Sequence, residues 1–437
     1  MNLLLNKYIK FVKKTPLFKD SLWSLIGNVI AKGLSLLAGI YIARSLGKDI
    51  YGEYGMIKFT LVDIALFSTF GLGFTATRFI AHYINTDKSK VKIIIGLVNR
   101  ITLITSGTMS LLLFLFSKQV ALFLEAEHLF FTLKIFSIII IFNAFTTSQI
   151  GVLAGFSDFK TITKNNTISG IVTFIFSIIL TYLWKLEGAL IALLISNIVN
   201  YILNLISVRK KINDNENPRY KEDKSGVSKE IIIFSLPIAL QEGLSALSSW
   251  LKIFILIKLT TYGDVGLFSA ANQWSSIILF VPGILSNVTL SHLSKTINDL
   301  KNHNNIFKTM LLVNFVSTFI PFIIVFIFSN YIPSLYGETF SSLSIILNIS
   351  VFTTIFLALS NVYTIQFMSL NMNWIVFFIK FCRDIGIIGL TVFFLSNNNS
   401  NKPGAYFLVL SSLMINILFL TSLHLLHVKT SKTRLLC

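Results

Sequence analysis

Charge is scarce in this chain, and acid is scarcer than base. Only 13% of the 437 residues are charged, 19 acidic against 37 basic, for a formal net charge of +18. With 54% hydrophobic residues and a mean hydropathy of +0.75, so little charge excludes a soluble globular domain, because that much apolar surface has nowhere to hide. The class is a polytopic membrane protein. Cysteine is nearly missing: Cys382 lies in an apolar run and Cys437 ends the sequence, so no disulfide framework is defined. The six histidines show no metal-ligand spacing, and His424 and His427 sit where an interfacial role is expected. No glycine-rich loop ends in Lys-Ser/Thr, which leaves an ATP-driven pump unsupported. No large acid-bearing hydrophilic loop is present, which argues against a membrane glycosyl-transfer enzyme or polymerase. No small-residue cleavage site precedes the first apolar run, so no signal peptide is expected.

What is present is a series of apolar runs near twenty residues long. That is twice what an alternating barrel strand needs, so a β-barrel is rejected and the spans are read as helices. They fall at about 21–43, 52–76, 94–116, 130–152, 166–184, 187–207, 230–257, 265–290, 309–330, 341–366, 374–395 and 404–426. The expected fold is an all-α integral membrane protein of about 12 transmembrane helices, in two six-helix lobes around a central cationic cavity. The expected domains are a basic amphipathic segment at 1–20, an N-lobe at 21–207, a cytoplasmic linker at 208–229, a C-lobe at 230–427 and a cytoplasmic tail at 428–437. The first segment, with Lys7, Lys10, Lys13, Lys14 and Lys19 among Leu3, Leu5, Ile9 and Phe11, reads as a surface helix or as an unstructured basic leader.

Loop charge gives the orientation. With twelve spans and the N-terminus inside, the inside segments hold 24 Lys and Arg and the outside segments six. Cytoplasmic loops collect such cations, so both termini are expected in the cytoplasm. The same rule accounts for most of the basic excess without nucleic acid as a partner. The halves also echo each other. Gly52-Glu53-Tyr54 and Gly266-Leu267-Phe268 follow the first and seventh spans at an offset of 214, and Gly155 and Ser369 repeat that offset after the fourth and tenth. Duplicated lobes with the substrate at their interface are a common transporter design.

Polar groups inside the spans carry the functional reading. An ionised lysine at bilayer mid-depth costs about 3 kcal/mol, so Lys32 demands a wet or paired setting. Ser21, Ser24, Asn28, Lys32 and Ser35 share its helix face. Gln241, Ser245, Ser249 and Lys252 form a similar stripe in the seventh span. In the eleventh, Lys380, Arg383 and Asp384 stand at i, i+3 and i+4; Lys380 and Asp384 are placed to pair, leaving Arg383 with charge to spare. Lys58 and Asp63 in the second span point about 140° apart and each is expected to meet another helix. Arg78 closes that span, as a topology signal or as part of a site. Arg100 and Lys134 lie near helix ends and are expected to snorkel. Gly27/Ala31 and Ser35/Gly39/Ala43 permit close helix packing. Pro237 and Pro282 are expected to kink their helices. A cationic interior favours an anion, and phosphate suits both Lys and Arg. Asn28, Asn272, Gln273, Asn361 and Gln366 could bind sugar hydroxyls or merely bridge helices.

The stretches Asn28-Val-Ile-Ala-Lys-Gly-Leu-Ser-Leu-Leu, Ile42-Ala-Arg-Ser-Leu-Gly-Lys-Asp-Ile-Tyr-Gly-Glu-Tyr-Gly and Phe70-Gly-Leu-Gly-Phe-Thr-Ala-Thr-Arg-Phe-Ile-Ala resemble the Wzx-type O-antigen and repeat-unit flippases. These form the polysaccharide transporter branch of the multidrug/oligosaccharidyl-lipid/polysaccharide superfamily. The resemblance implies a flippase that carries undecaprenyl-diphosphate-linked oligosaccharide across the inner membrane by alternating access. It implies no bound cofactor, with proton or sodium coupling, for which Asp63, Glu242 and Asp384 are the candidate acids. Lys32, Lys58, Lys252, Lys380, Arg383, Asn28 and Arg78 are the candidate substrate residues. Expected partners are the lipid-linked oligosaccharide, membrane lipids and polysaccharide polymerase machinery, around a monomer. The alternatives are a drug or cation antiporter of the same superfamily, which needs acids to exceed bases in its cavity, and the glycosyl-transfer enzyme.

Overall fold

A computed structural model of the chain describes residues 16–84, 87–214, 225–296, 299–370, 372–397 and 402–436. Residues 1–15 of the basic segment and 215–224 of the linker lie outside the described residues. Every regular element among those described is helical. In order they are α1 (Pro16–Ser68), α2 (Leu72–Tyr83), α3 (Lys88–Leu115), α4 (Ser117–Phe123), α5 (Phe130–Phe136), α6 (Ile139–Gly155), α7 (Phe159–Asp214), α8 (Ser225–Leu259), α9 (Tyr262–Ile278), α10 (Phe280–Lys295), α11 (Leu300–Phe328), α12 (Ile332–Tyr336), α13 (Leu343–Ser369), α14 (Asn373–Ser396) and α15 (Gly404–Leu436). Single 3-10 turns at Glu127–Leu129 and Glu338–Phe340 precede α5 and α13.

Seven of these helices are long and apolar enough to cross a membrane, nine if each bent pair is one span. Two of the seven are hairpins. In α1 the turn is Gly47, at φ 75°, ψ 168°, where only glycine is comfortable. Lys32 and Lys58 act on each other electrostatically, although a straight helix would hold them about 39 Å apart. In α7 the turn is Trp184 and Lys185, and Gly188 folds back against the Leu180 carbonyl. The fifth and sixth predicted spans are therefore two arms, as their combined length required. Helix α14 is not among the seven because Lys380, Arg383 and Asp384 interrupt its apolar run. Counted by arms, with each bent pair as one, every predicted span has its helix. Pro282 has the expected effect: α9 and α10 meet at 46° just before it, where its missing N–H leaves a gap in the ladder. Pro237 lies within unbroken α8.

The internal echo is physical. The second arm of α1 starts at Lys48 and α9 at Tyr262; α6 ends at Gly155 and α13 at Ser369; α7 starts at Phe159 and α14 at Asn373. Each pair differs by 214. With the bent pair α5 and α6 counted as one helix, the order long helix, short helix, 3-10 turn, long helix also occurs twice, at 88–155 and at 300–369.

Two compact units result, residues up to Ala38 with Ile57–Leu247, and Gly39–Met56 with Ser248 onward. The second unit thus takes in 39–56 from the first helix, and the first unit takes in 225–247 of α8. In the first unit α2, α3, α6 and α7 share a core of Leu72, Ile80, Ile94, Val98, Leu153 and Val208. Gly73 and Gly151 bring α2 and α6 into backbone contact, and Thr77 donates to the Gly151 carbonyl at 2.9 Å. In the second unit Phe307, Val362, Phe367, Val376, Phe419 and Leu423 form a core. Its other end buries Tyr51 against Phe340, with Tyr336 held by Trp274 Nε1 at 3.0 Å. There Gly52 meets the Tyr262 carbonyl and Gly266 meets the Lys48 carbonyl, and each glycine faces the other's amide nitrogen. The contact is reciprocal between repeat mates, as at a two-fold axis.

Candidate functional site

In the first unit, Asn28 and Lys32 lie one turn apart on the first arm of α1. Asn28 is 9% exposed. It donates to Thr163 Oγ1 at 2.9 Å and accepts from Asn166 Nδ2 at 3.0 Å. Thr167 donates to the Gly27 carbonyl at 3.0 Å, and Gly170 packs on Ala31. Thus Thr163, Asn166, Thr167 and Gly170, one face of α7, fasten the first arm. The polar stripe of the first span is a helix-bridging face at Asn28, and it reaches the surface at Lys32 and Ser35, which are exposed. Lys58 on the second arm is half-buried and close enough to Lys32 for the two ammonium groups to interact. Asp63 is 9% exposed. Arg78 is exposed on α2.

Glu242 on α8 does something the sequence did not reveal. The second predicted span breaks between Ser68 and Leu72, with Phe70 at φ 52° and Gly71 at φ 64°. Glu242 spans that break: its carboxyl accepts from Thr69 Oγ1 at 3.1 Å and from the Gly71 backbone N–H. A carboxylate there satisfies an orphan amide at the start of α2 and lies at the positive end of that helix. Gly243 next to it packs on Phe67.

In the second unit, Lys380, Arg383 and Asp384 are together, but the expected pairing is corrected. Asp384 accepts from Arg383 Nε at 2.9 Å and Nη2 at 2.7 Å, and the guanidinium lies over Phe419. The forked guanidinium captures its neighbour, which a single ammonium one turn away does not displace. Lys380 feels both groups electrostatically, so the trio retains one net positive charge. Lys252 is half-buried on α8. Asn361 donates to Ser286 Oγ at 2.7 Å, and so bridges helices. Gln366 is 3% exposed.

Thr69, Gly71, Thr163 and Asn166 escaped the sequence reading. The offset of 214 held a clue to one of them, because Asn166 is the repeat mate of Lys380. Among the described residues no group of three His, Cys, Asp or Glu could hold a metal ion.

The fold is shared with solved transporters. A multidrug-resistance transporter of the MATE family, in the MOP superfamily and solved inward-facing, superposes with a TM-score of 0.78 at 14% identity, covering 94% of this chain and 99% of that one. A MOP superfamily transporter from Pyrococcus furiosus, described by a reversed polarity of its binding pocket, gives 0.68 at 15% identity over 93% and 95%. A mutant of a Vibrio cholerae MATE transporter gives 0.70 at 15% identity over 95% and 96%. No curated protein matches the chain. Residues 17–290, more than half of the sequence and including the first unit's site, match the family described as polysaccharide biosynthesis protein; the chain belongs to that family, on a fold of the MOP superfamily.

Proposed function

We propose that the chain is a flippase that translocates undecaprenyl-diphosphate-linked oligosaccharide repeat units, of O-antigen or a related polysaccharide, across the bacterial inner membrane by alternating access. The observation that carries this is Lys32 and Lys58, two cations on the membrane-spanning arms of α1, the first exposed and the second half-buried. Two ammonium groups on the two arms of one helical hairpin suit an anion with two phosphates. The family match supports a role in polysaccharide assembly. Arg383 is engaged by Asp384, so in the second unit Lys380 and Lys252 are the better candidates for the cargo's phosphates.

The drug or cation antiporter needs acids to dominate. Within the spans Lys32, Lys58, Lys252, Lys380 and Arg383 outnumber Asp63, Glu242 and Asp384. Asp384 is spent on Arg383, and Glu242 on Thr69 and Gly71. That balance favours an anionic cargo. Coupling to protons or sodium belongs to the same proposal, with Asp63 as its candidate acid. So do cytoplasmic termini, a monomeric state and polymerase machinery as a partner. The test is complementation of a strain lacking its own repeat-unit flippase. Surface polysaccharide restored by the wild type supports the reading. Protection against cationic dyes with no polysaccharide, at matched expression, supports the antiporter instead.

A further inference from the structure

We propose that a groove between α11, α13 and α15 in the second unit binds an anionic glycerophospholipid, with an acyl chain along the groove and the phosphate at Lys308 and Lys429. Helices α11 and α15 both pack on α13. They meet at one end, where Phe307 stacks on His427 at 4.7 Å between ring centroids. Tyr363 of α13 lies edge-on to both rings, at 5.1 and 5.8 Å. Beside that aromatic junction the helices leave a groove of about 670 Å³, the size of a small-molecule site. Leu312 and Phe315 of α11, Leu359 of α13, and Leu420 and Leu425 of α15 line it. All three helices are long and apolar enough to cross a membrane, so lipid is the medium that reaches it.

The walls follow the order of groups in a glycerophospholipid. On α11, Lys308, Leu312 and Phe315 are spaced by four and three and share a face. On α15, Leu425 and Lys429 are one turn apart, and His424 Nδ1 pairs with the Tyr363 hydroxyl at 2.9 Å. From its depth outward the groove meets apolar side chains, then Tyr363 and His424, then two exposed lysines. An acyl chain, a glycerol ester and a phosphate come in that order. The charge on the walls has one sign: 300–328, 343–369 and 404–436 contain no Asp or Glu. Asp299, just ahead of α11, is engaged as its N-cap and accepts from the Asn302 backbone N–H at 3.0 Å and side-chain amide at 2.8 Å.

An anionic headgroup gains from both ammonium groups, and a neutral one does not. A lysine near the membrane surface favours an anionic lipid by about fivefold, so the pair should favour it by at least about tenfold. The bound lipid ties α11 to α15 across α13. The groove lies wholly in the second unit, and the site stands whether or not the cargo is a lipid-linked oligosaccharide.

The test is native mass spectrometry of the full chain in detergent, titrated with dioleoyl phosphatidylglycerol or dioleoyl phosphatidylcholine. Phosphatidylglycerol should be retained at least about tenfold more tightly. Lys308→Gln with Lys429→Gln should bring the two lipids within about twofold of each other. Leu312→Trp with Leu425→Trp fills the groove from both walls at side chains that are 60% and 69% exposed, so the fold is kept and both lipids should weaken severalfold. Lys258→Gln, at the end of α8, should leave the preference as it was. Equal retention of the two lipids by the wild type overturns the site, and so does a preference that survives the double lysine change. A drop with Lys258→Gln as large as with the pair would show a general attraction of the basic surface, and overturns it too. Farnesyl diphosphate at equal concentration should leave phosphatidylglycerol bound; displacement would assign the groove to an isoprenoid chain and overturn the phospholipid.

Discussion

Removing the Glu242 carboxyl should loosen the second span at its break. The carboxyl accepts two hydrogen bonds, from Thr69 and from the Gly71 amide. A hydrogen bond to a charged group contributes about 1.5–3 kcal/mol in water-soluble proteins. Interhelical polar contacts in membranes average about 0.6 kcal/mol and rarely exceed 1.7, because the unfolded reference also finds partners. The N-terminal position on α2 adds about 0.3–1 kcal/mol. Two bonds at the membrane value plus the dipole term give about 2 kcal/mol for Glu242→Ala. Glu242→Gln keeps one acceptor oxygen and should lose about 1 kcal/mol. Thr69→Val should lose about 0.6–1 kcal/mol and be less than additive with Glu242→Gln, since both report on one bond. The assay is reversible unfolding in mixed micelles, with the denaturing detergent fraction at midpoint as the readout. The expected order of stability is wild type, then Gln, then Ala. An alanine variant as stable as wild type, or a glutamine variant weaker than alanine, would refute the capping role.

Three other perturbations discriminate among parts of the structure. Gly52→Ala or Gly266→Ala places a methyl against a backbone carbonyl and should destabilise by about 1–3 kcal/mol, whereas Gly33→Ala, with open space around it, should be neutral or gain up to about 1 kcal/mol; unfolding midpoints of the three decide. Asp158 is pulled up by burial, but Lys211 at 2.8 Å and the hydroxyl and amide of Thr161 outweigh that and hold its carboxyl below the usual range. Its folded value being depressed, it stabilises above the unfolded pKa of about 3.9 and loses that contribution as pH falls through the folded value; Asp158→Asn should be less stable than wild type at pH 6 and converge with it near pH 3. Asp384→Asn should release the Arg383 guanidinium and strengthen binding of a soluble polyprenyl diphosphate analogue, whereas Arg383→Gln should weaken binding less than Lys380→Gln does; equal losses would contradict the pairing seen here.

Much of the fold was legible because lipid allows few solutions: runs near twenty residues had to be helices, and Gly47 and Lys185 fall where the spans separate. The repeat was legible at Gly52 and Gly266, since only glycine survives where two backbones touch. What the sequence hid was non-local. Nothing in Gly39–Met56 announces that it packs with the second half. Asn28 reads as a wet residue until Thr163 and Asn166, more than a hundred positions away, are placed beside it. Asp384 was assigned to Lys380 by helical spacing, but the fork geometry of adjacent Arg383 prevailed. Glu242 was singled out as an acid in a span; its partner is a break in another helix, and such a break leaves only the weak trace Phe70-Gly71 in the sequence.

The central claim is that paired cations in the first unit recognise a lipid diphosphate. The most direct measurement is surface polysaccharide in a flippase-null strain that supplies the matching sugar, comparing wild type, Lys32→Ala, Lys58→Ala and Gly33→Ala at equal membrane levels. Loss of one charge-assisted phosphate contact is worth about 1.5–3 kcal/mol, so each lysine variant should export at least about tenfold less, while Gly33→Ala matches wild type. Full export by Lys32→Ala and Lys58→Ala would contradict the account.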